Sequence, residues 1–169
     1  GNIERRIDYQ LLKKIFERRT DWTLAMVGPV EMQFLPDWFT NLKNVKLFGA
    51  QPYHRLPEFL KGFDVAIIPF KIDEVSHTIY PLKLFEYLGG GKPVVSTLFN
   101  PDLLMPLQRV VYLAQDADHF EHLIRKAYNE NSEMLVKERI NIARQNTWQS
   151  RGEAFARLVQ KWLNKKEKP

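Results

Sequence analysis

Apolar positions recur along this chain with more than one rhythm. Residues 4–19 carry Ile7, Leu11, Leu12, Ile15 and Phe16 at helical spacing, with Arg, Lys and Glu between them, which predicts an amphipathic helix. Residues 23–28 (TLAMVG), 45–49 (VKLFG) and 64–70 (DVAIIPF) are instead short continuous apolar runs, each closed by Gly or Pro. Such runs suit parallel strands buried on both faces. PVVST (93–97) and VVYLA (110–114) extend the series. A short helix is expected over 53–63 (YHRLPEFLKGF), with Leu56, Phe59 and Leu60 inward. Two helical segments follow in 116–147, and a last helix over 151–165 carries Phe155, Leu158, Val159 and Trp162 on one side. The βα alternation predicts a Rossmann-like parallel sheet with helices on both faces. Ligands of such open sheets bind beyond the carboxyl ends of the strands. The longest loop-like stretch, 71–80, leaves one of those ends.

That loop runs into YPLKLFEYLGGGKPVVS (80–96), where Pro81 and three glycines (89–91) bound a short helix. Lys83 stands near its positive end and Glu86 toward its negative end, so the macrodipole favours neither charge. A lysine there makes sense if an anion docks, because free backbone N–H groups and an ammonium both face it. An exposed i,i+3 ion pair, worth about 0.3 kcal/mol, is the weaker explanation. The glycines do not make a phosphate loop, since Lys92 is followed by Pro93 rather than Ser or Thr. A helix C-cap with close strand packing fits them better.

Composition bounds the picture. A chain of 169 residues, 44% hydrophobic, suits one globular domain. The absence of Cys excludes disulfides, thiolate metal sites and a cysteine nucleophile, and a cytoplasmic setting is expected. No apolar run approaches the roughly 20 residues of a membrane span, and no secretory signal opens the chain. A net charge of +5 and a pI of about 9.4 suit an anionic ligand or a membrane surface. Without a basic stripe they do not argue for nucleic acid. The basic end, Lys161, Lys165, Lys166 and Lys168 beside Trp162 and Leu163, reads as a solvated tail ahead of a helix lying on the inner face of an anionic membrane. His54, His77, His119 and His122 are too scattered for a metal site, although His119 and His122 share a helix face. His77, in the loop before the helix, is the one placed to approach a ligand. No Ser, His and Asp nucleophile signature is present.

Together, DWTLAMVGP, NVKLFG, YHRLPEFLKGFDVAIIPF and PLKLFEYLGGGKPVVST resemble, in order and spacing, the C-terminal donor-binding domain of GT-B glycosyltransferases of the group 1, polysaccharide-building type. Trp148 falls where that family commonly has a Trp before its last helix. The resemblance implies that Glu86 binds the ribose hydroxyls of a nucleotide sugar, while the helix start at Tyr80, Pro81, Leu82 and Lys83 faces its diphosphate. A carboxylate can accept both hydroxyl protons, and a lysine supplies a point charge that follows a phosphate. Many relatives carry a sugar-contacting Glu eight positions earlier, where this chain has Thr78, so the donor sugar stays open. Relatives also place an Arg or Lys pair after the first strand, which Arg5 or Arg6 would match; a solvated helix face is the plainer reading of both.

The resemblance further implies no bound metal or cofactor beyond the nucleotide-sugar substrate. The acceptor site, and in inverting members the base, would lie on an N-terminal domain absent here, so residues 1–169 form a single donor domain, inactive alone, with its C-terminal helix at 150–166. That helix usually packs on the missing domain, which would orphan its apolar side. The family's first strand, central in the sheet between TLAMVG and DVAIIPF, would end at or before Gly1. An empty central slot, closed by rearrangement or by a second copy, is therefore expected. A GT-B-fold nucleotide-sugar epimerase and a non-catalytic binding module are the alternatives.

Overall fold

The computed structural model describes residues 1–166. Helix α1 (Tyr9–Arg18) begins later than the periodicity predicts, because Asp8 caps it by accepting from the Leu11 amide. Its stripe of Leu11, Leu12, Ile15 and Phe16 is buried, each side chain contributing about 1.5–3 kcal/mol. Strands β1 (Leu24–Met26) and β2 (Val45–Leu47) follow, then helix α2 (Leu56–Lys61), strand β3 (Ala66–Ile68) and a short helix α3 (Glu74–His77). Helix α4 (Leu82–Gly89), strand β4 (Val94–Thr97), helix α5 (Pro101–Leu104) and strand β5 (Val111–Ala114) come next. Helices α6 (Ala117–Asn129), α7 (Glu133–Gln145) and α8 (Trp148–Lys166) complete the order. All five expected strands form. Helix α3 corrects the reading of 71–80 as plain loop: Asp73 accepts from the Ser76 amide and nucleates one turn.

Every strand pair is parallel, but the sheet is divided. Strand β1 pairs with β2, and β3, β4 and β5 form a second piece in that order. Alternation along β4 and β5 sorts two cores: Val95 and Ala114 face α1 and α6, whereas Val94 and Val111 face the side of α4 and α5. Helices therefore cover both faces, as the sequence predicts.

Between β1 and β3 lies the expected slot, and among the described residues no strand fills it. It is a cleft. Its carboxyl end is a cavity of about 450 Å³, and a second cavity of about 630 Å³ lies toward the amino end; Leu24, Ala25 and Ile67 border both. Residues 1–7 do not continue α1 but strap the two pieces across their carboxyl ends. Ile3 bridges to Val30, Ile7 bridges to Phe70, and the Gly1 nitrogen donates to Val27 O at 2.7 Å. Gly28 permits this crossing, since a Cβ there would stand 2.0 Å from Gly1 O, and its φ is +146°. Leu56, Phe59 and Leu60 are only half-buried, correcting their expected burial, because they face the cleft rather than a strand.

The apolar side of α8 is exposed, with Phe155 at 68% and Leu158 at 66%. Lys168 lies outside the described residues. Among those described, no helix is long and apolar enough to cross a membrane, and no three His, Asp or Glu side chains group as metal ligands.

Candidate functional site

The carboxyl-end cavity is bordered by the strap, by Phe70 at the exit of β3 and by the first turns of α4. Helix α4 forms where the sequence sets its limits. Pro81, buried, is the N-cap and offers no side-chain acceptor, so the first amides of the helix remain open. At the other end the Gly90 and Gly91 amides donate to the carbonyls of Glu86 and Leu88. Gly91 adopts φ +71°, and a Cβ there would meet Val136 Cγ1 at 2.9 Å; one at Gly90 would meet Leu60 Cδ2 at 2.5 Å. The glycines are a C-cap as expected, packed close to α7 and α2 rather than to a strand.

Lys83 and Glu86 both line the cavity, and they do not pair with each other among the described residues. The Lys83 ammonium sits 4.7 Å from the centroid of the Phe70 ring, and the Arg6 guanidinium carbon lies 5.5 Å from the same ring. Burial, and secondarily the Arg6 charge, push the Lys83 ammonium down to about 8, with the Glu86 carboxylate opposing both. Glu86 is exposed, and its carboxylate makes no hydrogen bond or ion pair among the described residues, which leaves both oxygens available. An ammonium and an unengaged carboxylate thus line one wall, on a helix whose first amides are open. That set can hold an anion beside a pair of hydroxyls.

The remaining predicted residues are less converged. Leu82 is half exposed at the helix start. Tyr80 stacks on Phe85, with centroids 5.4 Å apart and an interplanar angle of 12°. Thr78 is exposed, and its hydroxyl donates to Val75 O at 3.0 Å. His77 ends α3 and is exposed. Arg6 pairs with the buried Glu4 carboxylate in the strap, while Arg5 is exposed and felt electrostatically by Asp73. Neither arginine belongs to a helix, which corrects the solvated-helix-face reading: the turn closed by Ile7 N to Glu4 O at 3.2 Å aims them instead. Arg6 reaches the ring shared with Lys83, and Arg5 does not.

Three side chains escape the sequence reading. Phe70 looks like one more strand residue until the fold puts both cations on its ring. Arg139 is fully buried on α7, donating to Asn131 Oδ1 at 2.7 Å and to Gly91 O at 3.2 Å, and so holds the turn that ends α4. Its signal was there: with Val136 and Ala143 it shares the inward phase of α7. Arg151 of α8 lies over Tyr80, a contact 71 residues apart in sequence that no local pattern could show.

Fold and site define a Rossmann-like domain with a crevice at the strand carboxyl ends, lined by an ammonium and an unengaged carboxylate. The family model for glycosyl transferases group 1 matches residues 6–130, and the chain belongs to that family. It is 32% identical over 158 residues to a Bacillus subtilis (strain 168) protein named as a teichuronic acid biosynthesis glycosyltransferase, TuaH, covering 88% of this chain and 38% of that one. Among solved structures it is similar to WaaG, a glycosyltransferase involved in lipopolysaccharide biosynthesis, with a TM-score of 0.65 and 16% identity over 94% of this chain and 45% of that one. The pneumococcal O-GlcNAc transferase GtfA, solved with UDP and GlcNAc, gives 0.57 and 17%, again over 94% of this chain but 34% of its own. The fold is that of GT-B glycosyltransferases, and the chain spans less than half the length of these relatives.

Proposed function

We propose that this chain binds the nucleotide-sugar donor of a glycosyl transfer to a cell-surface polysaccharide or related glycan. In that reaction an acceptor hydroxyl attacks the anomeric carbon, the bond to the nucleoside diphosphate breaks, and the hydroxyl proton passes to a base. The observation that carries the reading is the unpaired arrangement of Lys83 and Glu86 on one cavity wall, at the open end of α4. Lys83, the Leu82 and Lys83 amides and Arg6 would take the diphosphate and stabilise it as it leaves. Glu86 would take the ribose hydroxyls. Thr78 and Tyr80, exposed ahead of α4, would lie on the side of the donor sugar. Acceptor and base would belong to the share of the relatives' length that this chain does not span. The similarity to TuaH, WaaG and GtfA, whose names concern surface glycans or sugar transfer, supports the substrate class.

Calorimetry of the chain with UDP, GDP and ADP tests this. One of the three is expected to bind, and Glu86→Ala to weaken it about tenfold, the loss of a charge-assisted hydroxyl contact. Because Glu86 is exposed, its melting temperature should stay within the range of a neutral surface change. If none of the three binds, a module with a degenerate pocket is the better account.

A further inference from the structure

We infer that Arg151 is a positioning residue, latching the first turn of α8 onto the segment that aims the open end of α4 at the donor. The inference rests on the donor-binding reading above. Its geometry is a layered contact: the Arg151 guanidinium carbon lies 4.2 Å from the Tyr80 ring centroid and 5.4 Å from that of Phe85, over two rings that already stack on each other. Arg151 Nη2 also donates to the Tyr80 hydroxyl and, at 3.2 Å, to Asn146 Oδ1, while Nε donates to Asn146 O at 3.3 Å. The Tyr80 hydroxyl in turn reaches Asn146 Oδ1 at 3.4 Å. Asn146 caps α7, so the joint between α7 and α8 grips the residue immediately before Pro81.

The grip matters because α4 lacks a side-chain N-cap. Its entry is fixed from outside the helix: Asn100 Nδ2 donates to Ile79 O at 3.0 Å on one side, and Arg151 holds Tyr80 on the other. Arg151 forms no ion pair with a carboxylate among the described residues, so its guanidinium is committed to Tyr80, Phe85 and Asn146. A planar guanidinium suits this duty, because it can stack on a ring while its edge donates in the same plane. Amides that must meet a diphosphate lose effect when the backbone behind them shifts by an ångström.

Amide hydrogen exchange on the ligand-free chain reads the latch, and calorimetry with UDP, GDP and ADP and their nucleosides reads its purpose. Arg151→Ala should speed exchange over 79–85 about fivefold while leaving 94–97 unchanged, and Arg151→Lys, which keeps the cation but not the planar edge, should recover part of this. In the Tyr80→Ala background Arg151→Ala should add nothing. Affinity for the diphosphate should fall about fivefold while affinity for the nucleoside changes far less, since Glu86 stands a turn further along α4 than the amides the latch aims. Unchanged exchange over 79–85, or equal loss for nucleotide and nucleoside, overturns the positioning role while leaving the donor site standing. Faster exchange in a chain whose wild type binds none of the three nucleotides overturns both, and reduces the latch to a structural contact.

Discussion

Lys83, on the cavity wall, and Arg6 approach one aromatic ring, and burial first and the Arg6 charge second make the Lys83 ammonium harder to keep. Below about pH 8 Lys83 is charged and can hold an anion; above it the ammonium is lost, so nucleoside diphosphate affinity should decline as pH rises from 7 to 9. Lys83→Arg, whose group does not titrate in this range, should flatten that profile, as isothermal titration across pH would read. Stability should move the opposite way. Between about 8 and the ordinary 10.5 the unfolded chain keeps a proton that the folded one has released, so the penalty of burying Lys83 eases with rising pH.

At the scale of elements, α4 is the part whose sequence speaks most plainly. Pro81 before it and Gly91 after it are local instructions, and the charges between them run against the helix dipole. Gly91→Ala should destabilise the chain by roughly 1–3 kcal/mol in a denaturant titration, since it combines a φ of +71° with a methyl pressed onto Val136. Legibility falls with distance along the chain. The start of α1 was misplaced because Ile7 fits the helical stripe yet is buried by a bridge to Phe70. The strand positions were legible because continuous apolar runs need no partner to be recognised. The roles of Phe70, Arg139 and Arg151 were not, because each depends on a neighbour brought from another element.

At the scale of the molecule, helix α8 stands outside both cores. Phe155→Ser should change stability by less than about 0.5 kcal/mol, whereas Leu12→Ala, in the fully buried stripe of α1, should cost about 2–5 kcal/mol by the same chemical denaturation. The divided sheet has a different kind of consequence. One core joins the two pieces, through Leu24 and Val45 on one side and Val95 and Ala114 on the other, while the second core belongs to β3, β4 and β5 alone. The hydrogen-bond ladder stops at the cleft, so melting of the β1–β2 pair does not oblige the rest to follow. Native-state hydrogen exchange should accordingly find the β1–β2 amides opening at a lower free energy than those of β3, β4 and β5, with the shared core setting how far apart the two values lie.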